Sequence, residues 1–298
     1  MTLSKNLSRK SATDFYGRKV RSNTFGLFAT SNIEQGKVIF IDETSWGATT
    51  IPAINKINLP GLRYAAFRCE MCCGMTMIWH KVIHQAECCT AFYCGDYCLE
   101  EAKATYREVI CGKDFTWLTT SPQAKATPVH TYDLDGIMWL RILAICVQSG
   151  VHPLDHPLVA ALTPNYESPD EVGRRWSLET HIDVPQRILT ALGIDIFTDV
   201  RYDTWVLQTI WARMINNVRG GPQEGFIGQM ATKGINPLYS FINHNCEPNA
   251  NAVDVWTTFP PQKAPVRRSS TVAIVANKTI RPGEEIYISY VDHDASRT

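Results

Sequence analysis

Eight of the ten cysteines fall between Cys69 and Cys111, and no other feature limits the fold so strongly. Cys69-x-x-Cys72 is followed, some twenty residues later, by Cys94-x-x-x-Cys98. One short turn presents only two ligands at usable angles, so two such pairs from two knuckles match a tetrahedral structural zinc site. Disulfide scaffolds spread their cysteines over small secreted chains. Clustering in this form, without a secretion signal, points to metal. Cys73, Cys88 and Cys89 lie between the pairs with His80 and His84, and Cys111 closes the segment. Cys88 or Cys89, Cys111 and a histidine could hold a second zinc, with Cys89 and Cys111 as its candidate ligands. Leu99, Ala102, Tyr106 and Val109 mark an amphipathic helix after Cys98.

The flanking sequence reads as strands, then helices, then strands. Residues 1–16 look like a polar lead. Phe25, Leu27 and Ala29 alternate with Gly26 and Phe28, which predicts a strand, and Val38-Ile39-Phe40-Ile41 predicts a second one after a turn at Glu34-Gln35-Gly36-Lys37. Two readings of Gly26 stay open: a bulge in a β-hairpin, or a glycine facing a ligand. Thr119 to His130 reads as a linker. Ile137, Leu140, Ala144 and Val147 share one helical face, as do Leu207, Ile210, Trp211 and Met214. Prolines 153, 157, 164, 169 and 185 keep the helices between them short. Trp139, Trp176, Trp205 and Trp211 are expected in the core of this helical part. Asn216-Asn217 ends the last helix, and Gly220-Gly221-Pro222 terminates it. Strands follow over Ala252–Trp256, Thr271–Ala276 and Ile286–Tyr290. This order is that of a β domain carrying two insertions.

The balance of 29 basic and 29 acidic residues gives no overall pull toward nucleic acid. The opening MTLSKNLSRK lacks the apolar core of a signal peptide. The best apolar run, Ile137 to Val147, is broken by Arg141 and is about half of the ~20 residues a membrane span needs. A soluble protein of the nucleus or cytoplasm, with no membrane partner, is the expectation.

Two polar strings remain: Asn243-His244-Asn245-Cys246-Glu247-Pro248-Asn249, and Gly283-Glu284-Glu285-Ile286-Tyr287-Ile288-Ser289-Tyr290. Together with Phe25-Gly26-Leu27-Phe28-Ala29, and in this order, they resemble the SET-domain protein lysine methyltransferases. The cysteine segment resembles a MYND zinc finger. The combination is similar to the SET-and-MYND subfamily, with wording closest to fungal members. The resemblance covers most of residues 17–292.

It implies an α+β fold. A SET β-fold of small twisted sheets with a threaded C-terminal segment is interrupted by a MYND-type finger and a helical insert. The parts are 17–50 and 225–292 for the SET core, 69–111 for the finger and 130–220 for the insert. It implies S-adenosylmethionine as cofactor beside Zn2+. The backbone around Phe25, Gly26 and Leu27 would line that cofactor, the Asn243 side chain would bind its amino-acid end and the His244 backbone its adenine. Asn217 would add a contact, and Tyr290 would be the catalytic tyrosine, also bordering the cofactor. Tyr239, Phe241 and Tyr287 are candidates for a lysine channel. The substrate would be a lysine of a histone or another protein, and the finger would bind Pro-rich peptides in extended form.

The sequence departs from the family pattern in four places. Asn245 stands where the family has Ser, Ala86 where the second zinc site has its first cysteine, and Arg107 where that site has a His. No cysteine follows Tyr290 to share a zinc with Cys246, so a shortened or truncated post-SET segment is expected. The alternative function is a catalytically weak SET scaffold that binds proteins through its finger. A Cys-His hydrolase built on Cys246 and His244 lacks a third, orienting group.

Overall fold

In the computed structural model, residues 7–11, 25–42, 46–49, 57–58, 65–73, 75–77, 84–85, 91–118, 134–162, 177–225, 228–254 and 271–290 are described. The chain divides into two compact units, residues 1–44 with 236–298, and residues 45–235. Trp176, Cys88, Cys89 and the expected linker at 119–130 lie outside the described residues.

The first unit grows from short apolar strands that bury one another. Strand β3 (Val38–Asp42) pairs antiparallel with β6 (Val272–Ala276), which pairs on its other edge with β5 (Ala250–Asp254). Val272, Ala273 and Ile274 are fully buried, so β6 reads as an apolar run, as a central strand does. Strand β2 (Phe25–Ala29) does not pair with β3. Its partner is β1 (Leu7–Ser11), antiparallel with Ser11 opposite Phe25. The hairpin reading therefore fails, and part of the expected polar lead is a strand.

The other edge of β2 is taken by the end of the chain. The Ala29 and Ile286 amides donate to the Glu284 and Leu27 carbonyls at 2.9 and 2.8 Å. The chain then turns to lie parallel beside β4 (Asn243–His244) as β7 (Tyr287–Ile288), with Asn243 opposite Tyr287. The expected strand 286–290 is thus only two residues long. Segment 284–288 is hydrogen-bonded to strands from opposite ends of the sequence.

Asp42, fully buried at the end of β3, sets the approach to β4. Its Oδ2 accepts from the Leu238 and Tyr239 amides at 2.8 and 3.0 Å. Those are orphan donors at the start of the 3₁₀ turn Tyr239–Phe241, where a carboxylate is favoured.

The second unit places the cysteine segment on a helical core. Helix Asp96–Ala102 (α1) widens into the π-helical Lys103–Arg107 and closes at Glu108–Ile110, burying Cys98, Ala102 and Tyr106 on one face. Helix α2 (Asp135–Ser149) buries Ile137, Met138, Trp139 and Ile142 to Cys146. Helices α3 (Val184–Leu192) and α4 (Thr204–Asn217) complete one core with it. Trp139 and Trp211 stack there, with ring centroids 5.8 Å apart. Trp205 was expected beside them but is 59% exposed, because it sits on the outer face at the start of α4.

After α4 the glycines do more than stop a helix. Val218–Gly225 is a strand, paired with Gly228–Ile235, which pairs in turn with Trp46–Thr49. The Lys233 ammonium donates to Asp135 in the first turn of α2, and both residues are buried. No described helix is long and apolar enough to cross a membrane.

Replacing Asp42 by Ala leaves two amide donors without their carboxylate. It is expected to lower the stability of the first unit by about 1–3 kcal/mol, and Asp42→Asn by less. Urea unfolding of the three proteins side by side measures the order.

Candidate functional site

Each unit holds one cluster of chemically capable side chains. In the second, the sulfurs of Cys69, Cys72, Cys94 and Cys98 all lie within 4.8 Å of one another. Cys72 to Cys94 is 3.7 Å and Cys94 to Cys98 is 3.5 Å. Zinc bonds of about 2.3 Å at tetrahedral angles put sulfurs about 3.8 Å apart, so the four fit that ion in spacing and in donor type. The knuckles are set by the backbone. The Cys73 amide closes back onto the Cys69 carbonyl at 2.9 Å, and Cys73 takes the left-handed conformation (φ 58°) to do it. Cys98 is delivered by the first turn of α1. Hydrogen bonding from its sulfur neighbours, Cys72 first, holds the Cys69 thiol below its ordinary value.

This is the one metal-ligand cluster among the described residues. Cys89 lies outside them, so the expected second zinc, with Cys89 and Cys111 as its candidate ligands, falls only in part on described residues. Arg107, where the resemblance has a ligand, donates to the Tyr93 hydroxyl at 2.7 Å instead. Arg141 of α2 ties the finger to the helices. Its Nη2 donates to the Glu70 carbonyl at 3.0 Å and its guanidinium lies 3.6 Å from the Tyr106 ring centre.

In the first unit the two polar strings meet. Asn249 is buried and its amide clamps the last strand: Nδ2 donates to the Glu285 carbonyl and Oδ1 accepts from the Tyr287 amide, each at 2.8 Å. This brings the Glu285 carboxylate under β4. Oε1 accepts from Asn243 Nδ2 at 2.6 Å and Oε2 from the Tyr287 hydroxyl at 2.8 Å. A Cβ on Gly26 would stand 2.2 Å from Oε1 and 2.8 Å from Cδ of Glu285. The absence of a Cβ at Gly26 is therefore required by the close approach of Glu285, a side chain of the protein itself.

Tyr290 lies at the other end of β7. Its hydroxyl donates to the Ile242 carbonyl, its amide donates to His244 Nδ1 at 3.0 Å, and the two rings are 5.4 Å apart. With Nδ1 accepting, the ring proton of neutral His244 sits on Nε2, 3.5 Å from Cys246 Sγ. Tyr290 as a whole residue is 58% exposed, although its hydroxyl is turned inward onto Ile242. Burial around its hydroxyl, helped by Tyr239 and Glu285, pushes that group up to about 12.

Gly26, Leu27, Asn243, His244 and Tyr290 thus come together through backbone pairing with 284–290 or direct contact, while Phe25 pairs with Ser11 on the other edge of β2. Among the channel candidates, Tyr239 raises the ionisation of Tyr290, Phe241 is buried beneath the turn, and the Tyr287 hydroxyl is committed to Glu285. Asn217 belongs to the second unit, buried at the end of α4, where its Nδ2 donates to the Arg213 carbonyl at 2.6 Å. Sequence reasoning assigned no role to Glu285 or Asp42. Glu285 was visible as the second acid of Gly-Glu-Glu. Asp42 was visible as a charge ending an apolar strand.

Residues 24–291 match the SET domain family, and the chain belongs to it. Among solved structures, it is similar to a crystal structure of the SET domain of LSMT bound to lysine and AdoHcy. Identity is 10% and the TM-score 0.35, over 98% of this chain and 51% of that one. The chain therefore spans about half the length of that neighbour.

Elemental analysis is expected to find zinc bound at the four cysteines, and Cys94→Ala to lose it. Because Cys69, Cys72 and Cys98 share one apolar cluster with α2 and α4, chelation is expected to cost helical circular dichroism beyond the finger itself.

Proposed function

We propose that this SET-family protein transfers a methyl group from S-adenosylmethionine to a protein lysine. The observation that carries the reading is the meeting of Gly26, Asn243, His244 and Tyr290 around one hydrogen-bonded strand. S-adenosylmethionine, when bound, supplies an electrophilic methyl on a sulfonium. Asn243 and the backbone of Phe25 to Leu27 are the groups that would hold it.

The protein side of the chemistry is alignment and desolvation. A lysine amine is mostly protonated near pH 7 and must be neutral to attack. An apolar wall favours the neutral amine, and Tyr239 and Phe241 are the residues we assign to it. By donating to Ile242, the Tyr290 hydroxyl keeps its oxygen lone pairs as acceptors, able to orient an amine N–H. Its raised ionisation keeps it neutral and undiminished as a donor through ordinary pH. The rate enhancement would then come from positioning and fixed dipoles.

We carry forward the finer assignment as well: a SET-and-MYND protein with a MYND-type finger at 69–111 that takes Pro-rich peptides. Its support is the two-plus-two cysteine spacing followed by a helix and the insertion of the whole segment within the SET match. The protein substrate, histone or other, follows from the same reading.

Calorimetry is expected to show S-adenosylmethionine binding that Asn243→Ala weakens roughly tenfold or more. Absence of binding to the unaltered chain ends the cofactor reading. With histones and cell extract as acceptors, Tyr290→Phe is expected to lower turnover by about 10²-fold with little change in cofactor affinity. The rate is expected to climb with pH as the substrate amine loses its proton. It should not fall at pH 10, the ordinary value for tyrosine, because Tyr290 ionises only near about 12. A descending limb centred there would mean that its hydroxyl is wetter than its burial implies.

A further inference from the structure

Glu285 is the one buried carboxylate of the polar cluster for which the reaction has no use so far. Both its oxygens accept hydrogen bonds, from Asn243 Nδ2 and from the Tyr287 hydroxyl. Its backbone carbonyl is gripped by Asn249, so the side chain starts from a fixed point. It lies flat against Gly26, where any Cβ would displace it. Four residues from three separate stretches of sequence thus hold one carboxylate in one place.

The consequence falls on Asn243. A side-chain amide is nearly symmetric in shape but not in chemistry: one end donates and the other accepts. An ionised carboxylate only accepts, so Asn243 must turn its NH2 toward Glu285, and its acceptor Oδ1 then faces away. The α-ammonium of an amino-acid end is a donor with no lone pair, and it is served only by that acceptor. The reverse orientation would set donor against donor at the ligand and acceptor against acceptor at Glu285. The negative charge behind Asn243 acts in the same sense, and charge-assisted hydrogen bonds are the strong ones.

We propose that Glu285 is a positioning residue that fixes the orientation of the Asn243 amide, and through it the preference of the site for a ligand with a free α-ammonium group. This rests on the reading of the site as one for S-adenosylmethionine. It also gives Gly26 a second reason to be glycine, since it admits Glu285 as well as any ligand.

The test compares two ligands on the full chain by calorimetry. One is S-adenosylhomocysteine, and the other is the same thioether with hydrogen in place of its α-amino group. The unaltered protein is expected to prefer the first by about ten- to a hundredfold. In Glu285→Gln, whose own amide can turn a donor toward Asn243, affinity for the first is expected to drop about tenfold while the second changes little, so the preference narrows. Equal weakening of both ligands would assign Glu285 a merely structural role and overturn the proposal. So would an unchanged preference. If the unaltered protein binds neither ligand, the cofactor reading and this proposal fall together; if it binds both and only the preference persists in the variant, this proposal falls alone. Should Glu285→Gln fail to melt cooperatively, Glu285→Asp keeps the charge but draws it back from Asn243 by one methylene. A narrowed preference there supports the proposal, and an unchanged one overturns it.

Discussion

The first unit depends on a side chain acting as a piece of backbone. Asn249 satisfies the carbonyl of Glu285 and the amide of Tyr287 at once, the pairing a neighbouring strand would have made. Buried peptide groups have to be paired, and only an amide side chain offers a donor and an acceptor at the correct separation. Because both ends are used, the strand can neither slide nor rotate. A slip of one residue would exchange Glu285 for Ile286 against Gly26, and the polar cluster would be lost. The positions of Glu285, Tyr287 and Tyr290 all follow from that clamp.

The second unit is held together differently. Its cysteine segment is joined to the helical core: Cys69, Cys72 and Cys98 share one buried cluster with Tyr93, Tyr106 and Ala102. Arg141, which interrupts an otherwise apolar helix, reaches from α2 to the Glu70 carbonyl in the first knuckle. Burial raises the Glu70 carboxyl above its usual range, against the pull of Arg141 and Arg107. The cysteine cluster, the helices and this small polar network therefore share one core.

Much of this was legible in the residues, for identifiable reasons. Helix α4 announced itself because one buried face repeats every 3.6 residues; α2 was found by its apolar run, but it is buried on nearly all sides, and Leu140 and Val147 of the expected face are only half-buried. The metal cluster was legible because thiolate spacing is nearly a geometric statement about tetrahedra. The strands around Gly26 were found, but their pairing was not. A period of two says which face is buried and nothing about which partner lies alongside. Hence β2 and β3 looked like a hairpin, although β2 pairs with residues at 7–11 and near 285. Trp205 was misplaced because its type outweighed its position at a helix start. Glu285 and Asp42 had no pattern to give them away, since their roles depend on contacts 42 and about 200 residues distant in sequence.

The division of the chain bears on how it is made. The second unit is one continuous stretch, residues 45–235, so all its partners emerge from the ribosome together. The first unit is assembled from residues 1–44 and 236–298. The edge of β2 that ends against Glu284 and Ile286 must therefore stay open while about two hundred and fifty intervening residues are synthesised. At about 5–20 residues per second, that is a wait of roughly 10–50 s. The polar cluster around Glu285 can close only once residues 236–290 have been made, after the four-cysteine segment has had time to fold.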